Sequence, residues 1–326
     1  MRPHPSKLTA KSPSPQAPPR GVHCIHGWSR FLASRHAVWL THGSLLSLTA
    51  AYFALLLNVP FWLACWPGVL LGHRIGILLH EYIHGIPFRG YQSCLRVLTV
   101  FDGLLLMFGS LELFRGTHLS HHAWLNDRGD SAFHEARLKP SSNRWLALLA
   151  SLELVQHLKF LWQSFRGLHP FVRGRRMSLG AGLSLVMMAF WISLGRPDII
   201  WKLMAITLIT TAVPVTLRGA VEHHSHPGDP GFANEYRVLL PLFNLNRHIH
   251  HHENPRCPWY RLEFRTPTPL SQRHYLTHWF HAQVRRDYVL MQPVPGRRPA
   301  PPELPPTSHP TAGNVLRGTY PSDSRS

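Results

Sequence analysis

VWLTHGSLLSLTAAYFALLL, residues 38–57, contains no Asp, Glu, Lys or Arg. A helix needs about 20 such positions to cross a bilayer. Asn58 and Pro60 interrupt the run, and residues 61–79 begin a second apolar stretch, with Arg74 only near its end. The two read as a tight helical hairpin. A second pair follows at 177–195 (MSLGAGLSLVMMAFWISLG) and 199–217 (IIWKLMAITLITTAVPVTL), joined by the short turn Arg196-Pro197-Asp198. No alternating strand pattern is present. The expectation is an all-α, multi-pass membrane protein: four transmembrane helices in two hairpins, with a helical cap on the cytosolic side.

Two hairpins return the chain to the side on which it starts. The basic residues agree: Arg20, Arg30 and Arg35 precede the first span, and Arg166, Arg173, Arg175 and Arg176 precede the third. The turn at 58–60 has none. The positive-inside rule therefore puts the tails and long loops in the cytoplasm. The first apolar run lies too deep for a standard signal peptide, so insertion by an uncleaved first span is expected. Residues 97–114 (VLTVFDGLLLMFGSLELF) carry Asp102 and Glu112, both costly in lipid. A single crossing there would also separate the histidines on its two sides, so a re-entrant or interfacial segment is expected. Residues 144–164 read as amphipathic and surface-lying.

Composition sets the ends apart. Residues 1–21 and 292–326 are rich in Pro, Ser and basic residues and too poor in apolar content to repay ordering. They are expected to be disordered tails around one membrane domain at 22–291. The net charge of +18 raises nucleic acid as a partner. The charge lies between apolar spans instead of in one stripe, so no nucleic acid is expected, and a membrane surface suits the pattern. Cys24, Cys65, Cys94 and Cys257 are scattered without a CxxC pair and read as reduced thiols.

Histidine is the unusual count: 25 residues against 16 Asp plus Glu. Three clusters stand out: His80 and His84 in HEYIH; His118, His121 and His122 in HLSHH; His248, His251 and His252 in HIHHH. Spacings of three and four put each set on one helix face. All fall at or just beyond span ends on the predicted cytoplasmic side, and His223 and His224 follow Glu222 after the fourth span. Imidazole is a strong ligand for Fe, Zn and Cu. Eight or nine imidazoles exceed the roughly four ligands of one zinc site, so the count fits two metals, and an all-imidazole set suits redox iron. His274, His278 and His281, although helically spaced, read as a surface face. His73 and His157 read as supporting or interfacial, and His4, His23, His26 and His309 as tail residues.

Other patterns compete. HEYIH has the HExxH form of a zinc metalloprotease with Glu81 as base, and Asp102-Gly103 supplies a later Asp-Gly; that reading leaves the other two clusters unexplained. His226-Pro227-Gly228-Asp229 is similar to a haem-binding loop, but the chain there is too short for a haem domain. Asp102 is expected to cap a helix or face water. A metal transporter would place its ligands within the spans, whereas these lie at span ends.

Taken together, HEYIHG, FRGTHLSHHAWLND and NLNRHIHHHENPRCPWYRL resemble the three histidine boxes of the membrane fatty acid desaturase/hydroxylase superfamily, over about residues 38–265. The resemblance implies two iron ions near the cytosolic ends of four spans. It implies His80, His84, His118, His121, His122, His248, His251 and His252 as ligands, with His223 as the ninth and His224 as its rival. His250 makes the third box unusually rich, and Asn246 matches a polar residue that supports the ligands. The first box is HxxxH, which points away from acyl-CoA desaturases and toward acyl-lipid or acyl-carrier desaturases, lipid hydroxylases and carotenoid ketolases. The implied enzyme is an oxidoreductase acting on paired donors with O2. Its substrate is a lipid or acyl chain. With no electron-transfer domain fused, a separate ferredoxin, rubredoxin or cytochrome b5-like donor is implied.

Overall fold

The computed structural model describes residues 38–88, 90–125, 172–211, 221–225, 233–237, 243, 245–265, 274–285 and 289–290. The predicted tails, the 144–164 segment, the end of the fourth predicted span and the 226–229 loop lie outside the described residues.

The first hairpin forms as expected. Helix α1 (Val38–Asn58) and helix α2 (Phe61–Ile83) are separated by Val59 and Pro60. Proline lacks the amide a continuing helix would need, but its fixed φ suits a helix start. In α1, Thr41, Leu45, Thr49, Tyr52 and Leu56 are buried, a stripe with steps of three and four that packs on α2. The rest of the surface is greasy: Trp39 and Leu46 on α1 and Trp62 and Trp66 on α2 are exposed. Apolar surface turned outward on long helices is what lipid requires, and tryptophans near helix ends suit its interfaces. Helix α2 runs four residues beyond the predicted 79, so the first histidine box is helical. Gly85, at φ +71°, ends it, and its amide donates to the Tyr82 carbonyl. The left-handed turn costs glycine little.

The ambiguous stretch 97–114 is two helices. Helix α3 (Tyr91–Leu104) and helix α4 (Ser110–Trp124) flank a break in which Leu106, Phe108 and Gly109 have positive φ. Each helix extends about 21–23 Å at 1.5 Å per residue, short of the roughly 30 Å hydrocarbon core. Asp102 closes the break: its carboxylate accepts from the amides of Gly109 (2.6 Å) and Leu111 (3.1 Å). It is a cap, as expected, but a buried one that does not face water. Glu112 is likewise sheltered, paired with Arg115 (Nε–Oε2 2.8 Å) and accepting from the Arg173 amide. Both costly carboxylates of this stretch are thus satisfied inside the protein.

Helix α5 (Gly174–Ser193) and helix α6 (Pro197–Thr210) form the second hairpin. Among the described residues, α1, α2 and α5 are the helices long and apolar enough to cross a membrane. The fourth predicted span is described as α-helix only through Thr210. The two hairpin turns meet. Buried Lys202 donates to the Leu56 carbonyl (3.0 Å) and pairs with Asp198 (3.2 Å), while Arg196 donates to the Leu57 carbonyl (3.1 Å). Cations thereby satisfy the orphan carbonyls that end α1. With both turns at one end, the opposite ends of α2 and α6 share the other.

Short elements finish the chain: strand β1 (His224–Ser225), helix α7 (His248–Glu253), helix α8 (Trp259–Arg265), helix α9 (Tyr275–Trp279) with a wider helical turn at Phe280–Arg285, and strand β2 (Val289–Leu290). The antiparallel β1–β2 pair is a small departure from the all-α expectation. His278 is a correction. It is buried at 2% exposure, not part of a surface face, because Trp279 docks α9 onto a cluster of Ile77, Val221, Tyr236 and Leu245. His73 lies within α2, next to the Arg74 guanidinium.

Candidate metal centre

Each histidine box is brought to one level by a different device. His80 lies in the last turn of α2 and His84 is its C-cap. The α3–α4 pair turns back, so His118, His121 and His122 on α4 reach the same place. A helix advances about 100° per residue, so in α7 His248, His251 and His252 fall within one arc and His250 opposite. His250 faces Glu235 instead, 2.8 Å away, and bonds to Glu253 (3.0 Å).

All nine expected histidines converge, in two groups. His80, His84, His118, His122 and His251 form one; His121, His223, His248 and His252 form the other. Within each group the candidate donor atoms lie within 4.8 Å of one another, and every residue is buried. In the first, His80 and His118 are 2.7 Å apart, His84 and His118 2.9 Å, and His122 and His251 3.1 Å, all Nε2 to Nε2. In the second, Nε2 of His223 lies 2.9 Å from that of His121 and 3.1 Å from that of His248, which is 2.9 Å from that of His252. The groups abut: the His122 and His252 rings are 4.3 Å apart. His224 belongs to neither group. It sits in β1, opposite Leu290.

This donor set fits metal ions. A neutral imidazole has one N–H, so several Nε2 atoms crowded together cannot all be satisfied by donating to each other. Ligands about 2.1 Å from one ion, set 90–110° apart, lie about 3.0–3.4 Å from each other, close to the spacings found. Burial also favours the neutral form of five of these rings. His84 is pushed down to about 3 by desolvation, with the Arg256 charge adding to it. His118, His122, His251 and His252 are held well below the usual histidine range by burial first and by their histidine neighbours second. A neutral ring offers its lone pair to a cation.

Several supporting residues were invisible in the sequence. Asn234 holds the 221–225 segment by donating to the Val221 (2.7 Å) and His224 (2.6 Å) carbonyls. The Tyr236 hydroxyl donates to Glu222 (3.1 Å), whose other oxygen lies 3.3 Å from Nε2 of His248. Asn246, expected as a supporting residue, donates to the Tyr236 carbonyl (3.0 Å) and so braces that tyrosine. Trp259 fastens the segment after α7. Its indole donates to Thr41 (3.2 Å) and its amide to the Glu81 carboxylate (3.4 Å). Glu81, the would-be protease base, is thus tied to that segment. Asn234 and Tyr236 come from an irregular segment that carries no periodic or motif signal.

Outward-facing apolar helices beside a buried pair of polyhistidine groups suggest a membrane protein with a candidate metal centre. The chain belongs to the fatty acid desaturase family, whose model matches residues 60–282, more than half of its length. No curated protein and no solved structure matches the chain significantly. Membership implies a lipid substrate and an oxidoreductase activity, and the family is typically di-iron.

Proposed function

We propose that this protein is an oxygen-dependent di-iron desaturase that introduces a C=C bond into the fatty chain of an acyl-lipid or acyl-carrier substrate. The observation that carries the proposal is the convergence of nine buried histidines into adjacent groups of five and four. In this reading His80, His84, His118, His122 and His251 hold one iron, and His121, His223, His248 and His252 hold the other. When bound, the iron pair supplies the O2-dependent oxidising power that an unactivated C–H bond requires.

The chain's own contribution is positioning and exclusion. Buried, neutral imidazoles present lone pairs with no proton to displace. The α2 end, α4 and α7 fix eight of the nine donor positions on helices or a helix cap, which limits their drift. Packing around the centre keeps water from an oxidising site. The centre lies at the end of α2 opposite the hairpin turn, so a fatty chain would reach it from the membrane side while its head group stays at the interface. We place that end in the cytoplasm and propose a four-span topology of two hairpins. Reducing equivalents come from a separate ferredoxin, rubredoxin or cytochrome b5-like donor.

Hydroxylation or ketolation of a lipid is the related outcome, set by whether the second step removes hydrogen or delivers oxygen. Mass spectrometry of lipids from cells expressing the protein separates them. Loss of a hydrogen pair supports the proposal. Gain of one oxygen atom, or of one oxygen with loss of a hydrogen pair, replaces it with a hydroxylase or ketolase. An unchanged lipid profile from cells with a working donor would overturn all three.

A further inference from the structure

Helices α3 and α5 both start at the end of the molecule that carries the histidine groups, and both start with cations. On α3, Gln92, Arg96 and Val100 are exposed, each four positions from the next and so on one face. On α5, Arg173 is the N-cap, and Arg175 and Arg176 lie in the first turn. The helices pack closely: a Cβ at Gly103 would lie 2.5 Å from that of Leu183. Arg176 reaches across to α3 and donates to the Gln92 side chain (3.2 Å), one turn before Arg96. The four arginines thus share one patch. Glu112, beside it, already accepts from Arg115 (2.8 Å) and from the Arg173 amide (2.9 Å). Neither helix has an acidic residue in its first turn. Among the described residues, no carboxylate forms an ion pair with the four guanidinium groups. Cations at a helix N-terminus also face the positive end of the helix dipole, so the patch lacks a counter-anion.

One turn deeper, the same faces become apolar. Val100 follows Arg96 and Leu179 follows Arg175, each more than half exposed, and Val186 continues the face on α5. We propose that this patch binds the phosphate of an anionic phospholipid, with its acyl chains along Val100, Leu179 and Val186. A soluble anion would use the arginines and leave the exposed apolar side chains uncovered. A phospholipid answers both, because its charge and its chains lie at successive depths, as they do on these helices. The bound lipid ties α3 to α5. Through the Arg173 amide on Glu112 it also steadies the start of α4, the helix that bears His118, His121 and His122. The site does not depend on which reaction the histidine groups support.

The test titrates the full chain in neutral detergent with phosphatidylglycerol or phosphatidylcholine and reads bound lipid by native mass spectrometry, with inorganic phosphate as competitor. Phosphatidylglycerol should bind at least about 5-fold more tightly than phosphatidylcholine, and phosphate at equal concentration should not displace it. Arg96 and Arg175 make no hydrogen bond among the described residues, so Arg96→Gln and Arg175→Gln should fold. Each should weaken phosphatidylglycerol binding about 5-fold and leave phosphatidylcholine unchanged. Arg256→Gln, which removes the same charge from an exposed position elsewhere, should alter neither. Equal binding of the two lipids, or displacement by phosphate alone, overturns the site. So does an Arg256→Gln effect as large as that of Arg175→Gln, which would mean that net charge decides and not this patch.

Discussion

The five-histidine group and the four-histidine group sit side by side, yet they are built by different means. The first draws on α2, α4 and α7 only, and its members lie in helices or at a helix cap. The second takes His223 from the short 221–225 segment, which Asn234 and β1 hold in place. One group is set by helical periodicity, the other depends on a loop clamped by side chains far from it in sequence. Damage to the two should therefore differ in kind: a helix-borne donor is lost by itself, whereas a loop-borne donor is also lost through its clamps.

The largest effect is expected at the first group. His118→Ala removes a nitrogen that lies within 3.0 Å of those of His80, His84 and His122. Product formation should fall below detection, with membrane insertion and detergent stability nearly unchanged. His251→Ala should behave in the same way. Lipid product analysis beside size-exclusion behaviour checks this, and a fully active His118 variant would sink the ligand set.

His223→Ala and His224→Ala sharpen the contrast within one dipeptide. The first should abolish product formation and lower iron content toward one per chain. The second should retain most activity, because His224 contributes its backbone to β1 and to the bond with Asn234. Equal loss in both would mean that the segment, and not its His223 donor, is what matters.

These pairs also mark how far the sequence could be read. The boxes were legible because helix periodicity forces residues three and four apart onto one face. The first hairpin and the break near Asp102 were legible because charge and proline are costly in lipid. His223 over His224 came from the resemblance and not from periodicity, since neighbouring residues in an irregular segment carry no period. Asn234 and Tyr236 were not legible, because their roles exist only once 233–237 folds back on 221–225. His278 failed for a related reason: five residues of helix hold too little pattern to reveal that Trp279 docks it inward.

The clamp itself is the next target. Asn234→Ala removes the side-chain bonds to two buried carbonyls, a cost of about 1–3 kcal/mol. Thermal melting should shift down, and iron retention at the four-histidine group should fall about 10-fold, with the five-histidine group spared. Trp259→Phe removes one bond, the indole to Thr41, and should cost about 0.5–1.5 kcal/mol with no selectivity between the groups. A selective loss there would show that the post-box segment serves one iron only.

The smallest effect should come from the residue most easily mistaken for a ligand. His250 lies between an isoleucine and a ligand candidate in a run of three histidines, so sequence proximity alone makes it equivalent to His251. The α7 helix separates them by about 100° of rotation. His250 therefore meets Glu235 and Glu253, outside both groups, while His251 meets His122. His250→Ala removes a partly exposed pairing worth no more than about 1 kcal/mol. It should leave iron content and product formation at wild-type levels. Loss of one iron in this variant would mean that α7 is rotated from the arrangement described, and the four-histidine group would have to be rebuilt around a different face.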